Sequence, residues 1–243
     1  MKEAKNAIVS VQIESERSVL QGYEIHTKSF ENYVKDKPAL DYIRITKNND
    51  LRPQFLKYDL ESLFKKYKTL CVVDADTIIR PNSDLEQVIC QNKTISAVPN
   101  FGSLEWVCRT IENCSLAHNI FKSISLDYHN YFNTGLIIVD KIISPTLQDF
   151  LQFVRNNKDK IYNLTDKLGM GQDQTIFNLF LKHRNITVNR LPYIYNIQDL
   201  PRRNCLNDED LFWSDMGDIF HFNCGVKPSP KYWMEKLYQH YAK

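Results

Sequence analysis

Thr69-Leu70-Cys71-Val72-Val73-Asp74-Ala75-Asp76-Thr77-Ile78-Ile79-Arg80-Pro81 is the stretch on which the reading of this chain turns. An apolar run, Leu70 to Val73, leads directly into two aspartates one residue apart, and the chain then turns apolar again. A short apolar run of this kind reads as a strand buried on both faces. Side chains at i and i+2 of an extended chain project to the same side, so Asp74 and Asp76 leave the strand end together. Two carboxylates so placed repel each other unless a positive charge sits between them.

Working outward, strands and helices alternate. Ala7 to Ile13 reads as a first strand, and Ser15 to Lys35 has helical spacing, with Val19, Tyr23, Phe30 and Tyr33 apolar. Asp41 to Ile45 is a second strand. Pro53 suits the first position of a helix, whose apolar face would carry Phe55, Tyr58, Leu60, Leu63, Phe64 and Tyr67. Thr69 to Val73 is the third strand. A short helix, Ser83 to Ile89, and strands at Thr94 to Val98 and Phe132 to Val139 follow, then amphipathic helices at Pro145 to Asn156 and Gln174 to His183. The pattern predicts an α/β fold with a mostly parallel twisted sheet flanked by helices. Ligands of such sheets bind beyond the carboxyl ends of strands, which is where Asp74 and Asp76 stand.

The 243 residues are 43% hydrophobic, enough for a sizeable core, and contain no linker, repeat or low-complexity tract. A single domain over residues 1–243 is expected. Lys plus Arg number 31 against 29 Asp plus Glu, a net charge of +2, which argues against a nucleic-acid binder and leaves room for a small anion held by a few placed cations. The first apolar run is too short and polar for a signal peptide or membrane span. Six cysteines without a C-x-x-C pair read as reduced thiols of a cytoplasmic protein.

Carboxylates are hard ligands for Mg²⁺ or Mn²⁺, and such sites commonly combine one or two acids with substrate phosphates. The stretch Asp74-Ala75-Asp76-Thr77 also matches the D-x-D-x-T of haloacid-dehalogenase phosphatases, whose first aspartate is a nucleophile. Those enzymes need a later acidic pair after an apolar strand, and Ser214 to Asp218 is the nearest, poorly placed candidate.

Three further segments weigh against that alternative. Tyr131-Phe132-Asn133-Thr134-Gly135 opens an apolar strand, Gly171-Gln172-Asp173-Gln174 opens a helix, and Ile219-Phe220-His221-Phe222 precedes Gly225 and Lys227-Pro228. Lys57 stands 17 residues before Asp74. The order D-x-D, F-N-x-G, D-Q, H-F, G, K-P from Arg52 to Pro228 resembles glycosyltransferase family 8, the retaining GT-A enzymes that include glycogenin and the bacterial lipopolysaccharide galactosyltransferases. Gly225 follows His221 by four residues where the family usually has three, and the tryptophan that usually follows K-P is absent.

The resemblance implies a GT-A domain and a metal-dependent retaining transfer of a hexose or deoxyhexose. The donor would be a nucleoside diphosphate, expected to be UDP-linked, and the acceptor a hydroxyl of a glycan or similar molecule. Asp74, Asp76 and His221 would hold Mn²⁺, with Mg²⁺ as the second choice. Lys57, Asp74, Ala75, Lys227, Gly225 and Ser10 would contact the donor. Asn133 and Asp173 would hold sugar hydroxyls, and Gln174 would sit by the anomeric carbon. An inactive nucleotide-sugar-binding domain is the remaining alternative. Pro99 to Asn130, with Phe101, Trp106, Arg109, His118, Phe121 and Tyr128, suits the acceptor side. The tail from Lys231 to Lys243 reads as a packed helix, with peripheral membrane contact as the alternative.

Overall fold

The computed structural model describes residues 5–13, 22–100, 130–168, 172–198, 211–223 and 229–242, with the single residues 112, 115, 117, 120 and 200. Among these, one six-stranded sheet is built from β1 (Lys5–Val11), β2 (Leu40–Ile45), β3 (Tyr67–Val73), β5 (Ile95–Pro99), β6 (Phe132–Asp140) and β7 (Asn189–Arg190). Its order is β2-β1-β3-β6-β5-β7. All its strands run one way except β6, which is antiparallel to β3 and β5. A small ribbon pairs β4 (Thr77–Ile79) antiparallel to β8 (Ile219–His221).

The central strands are apolar on both sides because both sides are covered. Val9, Val72, Ile137 and Val139 point into one core, and Ile8, Cys71, Val73, Leu136 and Ile138 into the other. Helices α2 (Pro53–Leu56), α3 (Glu61–Phe64), α5 (Ser144–Asn156), α6 (Lys158–Leu168) and α7 (Gln172–His183) cover the first face, with Phe55, Tyr58, Phe150, Phe177 and Phe180 packed ring against ring. Helices α1 (Tyr23–Val34) and α4 (Leu85–Gln91) cover the second through Phe30, Tyr33, Leu85 and Ile89. A third core gathers Ile78, Trp213, Phe220 and Phe222 around the ribbon. Helix α8 (Pro230–Tyr241) completes it with Trp233, Met234 and Leu237, so the tail is a packed helix, capped by Ser229 Oγ accepting from Tyr232 N–H.

The fold departs from the sequence expectation in three places. Of the helix expected from Ser15 to Lys35, the described part is α1, Tyr23 to Val34, and Gly22 before it takes a left-handed φ of 76° that a right-handed helix does not pass through. Residues 14–21 lie outside the described residues. The single helix expected from Pro53 is divided into α2 and α3, and Lys57 forms the cap between them. Helix α6 escaped notice because its apolar face is narrow, with Ile161 and Leu164 buried among lysines and acids. Among the described residues no helix is long and apolar enough to cross a membrane.

Two features of this topology position the site. The reversal of β6 sets Leu136 opposite Val73, so Asn133, Thr134 and Gly135 arrive beside the carboxyl end of β3. The pairing of β4 with β8 sets His221 opposite Thr77, one residue after Asp76.

Candidate active site

Asp74 and Asp76 flank the single turn between β3 and β4. The backbone holds both without using their side chains: Asp74 N–H donates to Gly135 O, and Phe222 N–H donates to Asp76 O at 2.8 Å. His221 Nε2 lies 3.2 Å from Asp76 Oδ1 and 3.8 Å from Asp74 Oδ2. The three side chains each offer a ligand atom, and these atoms lie within 4.8 Å of one another. His221 is buried, whereas the two carboxylates remain partly open to solvent. Burial works most strongly against charge on His221, but Asp76 and Asp74 together outweigh it and lift the imidazole above its usual pKa. A neutral imidazole aiming its lone pair at two carboxylates is repulsive, so the arrangement calls for a positive charge between them, a proton or a cation. Two hard oxygens and an imidazole fit Mn²⁺ or Mg²⁺, with the nitrogen favouring the transition metal.

Gly135 is required by this geometry. A Cβ there would stand 2.3 Å from His221 Cε1 and 2.7 Å from Asn133 Oδ1, both far inside contact distance. The glycine of the F-N-x-G segment therefore makes room for the histidine ring.

Lys57 is the positive centre behind the acids. From the cap of α2 its buried ammonium donates to Asp74 Oδ1 at 2.9 Å and lies 3.1 Å from Asp173 Oδ2. It also reaches Thr134 O at 3.3 Å. Burial lowers the affinity of the amine for its proton, but Asp173 and Asp74 outweigh burial and hold it above the usual lysine pKa. Asp173 Oδ2 additionally accepts from Tyr58 OH at 2.8 Å and Thr134 Oγ1 at 3.1 Å. Gln174 Oε1 accepts from Thr134 N–H at 3.2 Å. One turn further along α7, Asn178 pairs with both the N–H and the C=O of Phe132, clamping the helix to β6.

Asn133 Oδ1 accepts from Gly135 N–H at 2.7 Å and from Asn196 Nδ2 at 2.8 Å, and Asn196 Oδ1 faces His221 Nδ1 at 3.1 Å. The structure thus gathers Asp74, Asp76, His221, Lys57, Asn133, Asp173 and Gln174 at one end of the sheet. Ala75 is buried between the two acids, and Ser10 is buried on β1 opposite Val73. Gly225 and Lys227 lie outside the described residues, as do Phe101, Trp106, Arg109, His118, Phe121 and Tyr128. The acids of the phosphatase alternative are engaged elsewhere: Asp215 pairs with Arg80 at 3.1 Å, and Asp218 accepts from Ser83 Oγ at 2.8 Å.

Sequence reasoning missed Tyr58, Thr134, Asn196, Tyr23 and His26. Burial, followed by Asp76 and Asp74, raises the Tyr23 phenol above its usual pKa. His26 is fully buried against Phe30 and donates from Nδ1 to Thr77 O at 2.8 Å, securing β4. Burial pushes its pKa down to about 4, against the Thr77 carbonyl and Asp76. Folding therefore excludes a proton that the unfolded chain binds below about pH 6.5, so stability rises with pH between the two values. From about pH 7 to pH 5 this one residue should remove about 2 kcal/mol. Denaturant titrations of wild type and His26→Gln at both values check it: the wild type should lose about that much more than the variant, and equal losses would contradict the assignment.

The sequence model of the family described as glycosyl transferase family 8 matches residues 1–232. No curated protein matches the sequence. Solved structures share the fold at low identity. The galactosyltransferase LgtC, in complex with donor and acceptor sugar analogues, is 12% identical with a TM-score of 0.57, over 97% of this chain and 95% of that one. The glycosyltransferase GlyE of Streptococcus pneumoniae TIGR4 is 14% identical with a TM-score of 0.58, over 98% of this chain and 61% of its own. A glycosyltransferase involved in glycosylation of the major capsid of PBCV-1 is 12% identical with a TM-score of 0.53, over 98% of both chains.

Proposed function

The chain belongs to glycosyl transferase family 8 and is a glycosyltransferase of GT-A type, and from that premise we propose a metal-dependent, retaining transfer of a hexose or deoxyhexose. The donor is a UDP-linked sugar, the acceptor a hydroxyl of a glycan or similar molecule, and residues 1–243 act as one catalytic domain in the cytoplasm. The observation that carries the reading is the convergence of Asp74, Asp76 and the Nε2 of His221 on one point, from segments far apart in sequence. The donor and acceptor analogues held by the LgtC structure support the substrate classes.

Asp74, Asp76 and His221 would hold the ion, Mn²⁺ before Mg²⁺. When bound, the ion neutralises the negative charge that builds on the departing nucleoside diphosphate. The protein's own groups do the rest. Lys57 binds Asp74 and Asp173 at once and fixes the direction of both carboxylates. The Asn133 amide and the Asp173 carboxylate orient the sugar through its hydroxyls. Gln174, whose carbonyl oxygen accepts from Thr134 N–H, would steady positive charge at the anomeric carbon with the second lone pair of that oxygen. Attack and departure then share the opposite face, which retains configuration. Lys227 adds a point charge toward the diphosphate.

A screen of UDP-linked hexoses, reading thermal shift and sugar-nucleotide hydrolysis with and without Mn²⁺, tests the reading. At least one donor should stabilise the protein and be hydrolysed only with the metal. With that donor, Gln174→Ala should lower kcat by about 100-fold and leave donor affinity within about threefold, because it removes an interaction made in the transition state. No response to any UDP-sugar under any metal condition would overturn the donor and metal assignment.

A further inference from the structure

Asn196 touches neither acid, yet it is wholly buried between two residues of the site. The chain beside it is zipped onto β8: Ile197 N–H donates to Ile219 O, and His221 N–H donates to Ile197 O, both at 2.8 Å. That pairing sets the Asn196 side chain against the His221 ring.

The direction of every proton in this cluster follows from one group that cannot be reversed. Gly135 N–H only donates, so the Asn133 atom 2.7 Å away is its carbonyl oxygen. The Asn196 atom 2.8 Å from that same oxygen must be the NH2. Asn196 Oδ1 is thereby turned to His221 Nδ1 at 3.1 Å, and Nδ1 must carry the proton it donates. In neutral His221 the lone pair is then on Nε2, the atom that faces Asp74 and Asp76. At the other end, Asn133 Oδ1 is saturated by two donors, which leaves the Asn133 NH2 for a sugar hydroxyl.

We infer that Asn196 is a positioning residue with two outputs: it fixes the ring orientation and tautomer in which His221 Nε2 is a metal ligand, and it aims the Asn133 amide at the donor sugar. The inference rests on the metal and donor reading above. Its physical content is that one buried amide couples the metal ligand to the sugar contact, with each of its ends bound to one of them. Partners that orient a metal-binding histidine are commonly worth about 10- to 100-fold in metal affinity.

Two substitutions separate the outputs. Asn196→Asp still accepts from Nδ1 but presents an oxygen instead of an NH2 to Asn133, while Asn196→Leu does neither. Mn²⁺ alone, titrated and followed by the electron spin resonance of the free ion, should bind wild type and Asn196→Asp within about threefold and Asn196→Leu about 10- to 100-fold more weakly. Calorimetry at saturating Mn²⁺ should find UDP bound equally by wild type and Asn196→Asp. The UDP-hexose that wild type hydrolyses fastest should bind the Asp variant at least about tenfold more weakly, because Asn133 loses its partner. Far-UV circular dichroism checks the fold of each, and if the Leu variant does not fold, the Asp variant's split between UDP and UDP-hexose decides alone. A folded Leu variant that holds Mn²⁺ like wild type would overturn the inference. An Asp variant that loses Mn²⁺, or that binds UDP-hexose unchanged, would overturn it too. Failure of wild type itself to bind Mn²⁺ would instead sink the metal reading beneath it.

Discussion

Asp76→Asn is expected to lower donor turnover by roughly a thousandfold, which is about 4 kcal/mol of transition-state stabilisation at about 1.36 kcal/mol per factor of ten. The substitution keeps the size and shape of the side chain and removes only its charge. The backbone around it does not depend on that charge, because the carbonyl of Asp76 accepts from Phe222 N–H and β4 remains paired with β8. On the proposed metal reading, what is lost is one of two anionic ligands, beside a third, His221, that is neutral once it gives up its Nε2 proton. The leaving diphosphate would then depart with less of its charge compensated, and turnover falls far more than stability. Initial rates of UDP-sugar hydrolysis across a range of Mn²⁺ concentrations measure the effect. Turnover within about threefold of wild type would remove Asp76 from the metal site.

Lys57→Met should be the most destabilising single change near the site, by about 3–5 kcal/mol. Its ammonium is the shared partner of Asp74 and Asp173, and its side chain is only 7% exposed. Methionine fills the space but leaves two carboxylates facing each other with no cation between them. Removing one member of a buried charged cluster costs more than the pair itself contributes, because the desolvated charge left behind has no compensation. A loss of that size corresponds to a fall in Tm of roughly 10 °C for a chain of this length. Lys57→Arg keeps the charge and should recover part of the loss. Melting the three proteins side by side checks this; a Met variant within about 1 °C of wild type would show that Lys57 is a solvated surface residue.

The parts of the site that were legible in sequence share a cause. Asp74 and Asp76 follow a strand end visible as an apolar run, Asn133 and Gly135 open another strand, and Asp173 and Gln174 open a helix, so local pattern sets each on its element and the family resemblance supplies its role. His221 could be named because it sits on an apolar strand in the right order along the chain. Asn196, Tyr58, Thr134 and His26 carried no such mark. Their roles arise from pairings between distant segments: the β4–β8 register puts Thr77 against His221, the reversal of β6 brings Thr134 under Lys57, and the break between α2 and α3 lets Tyr58 reach Asp173. A local window of sequence cannot express register between remote strands. The same limit explains the helix break. The turn after Leu56 interrupts apolar spacing that continues across it, and periodicity alone reads straight through.

The account stands on a cation held jointly by Asp74, Asp76 and His221 and gripping the donor diphosphate. Crystals grown with Mn²⁺ and UDP, measured at the manganese absorption edge, test that most directly. The predicted result is one anomalous peak within about 2.0–2.3 Å of a carboxylate oxygen of Asp76 and of His221 Nε2, with diphosphate oxygens completing its shell. A peak bound to other side chains, or UDP ordered in the site with no peak between the acids and the histidine, would contradict it.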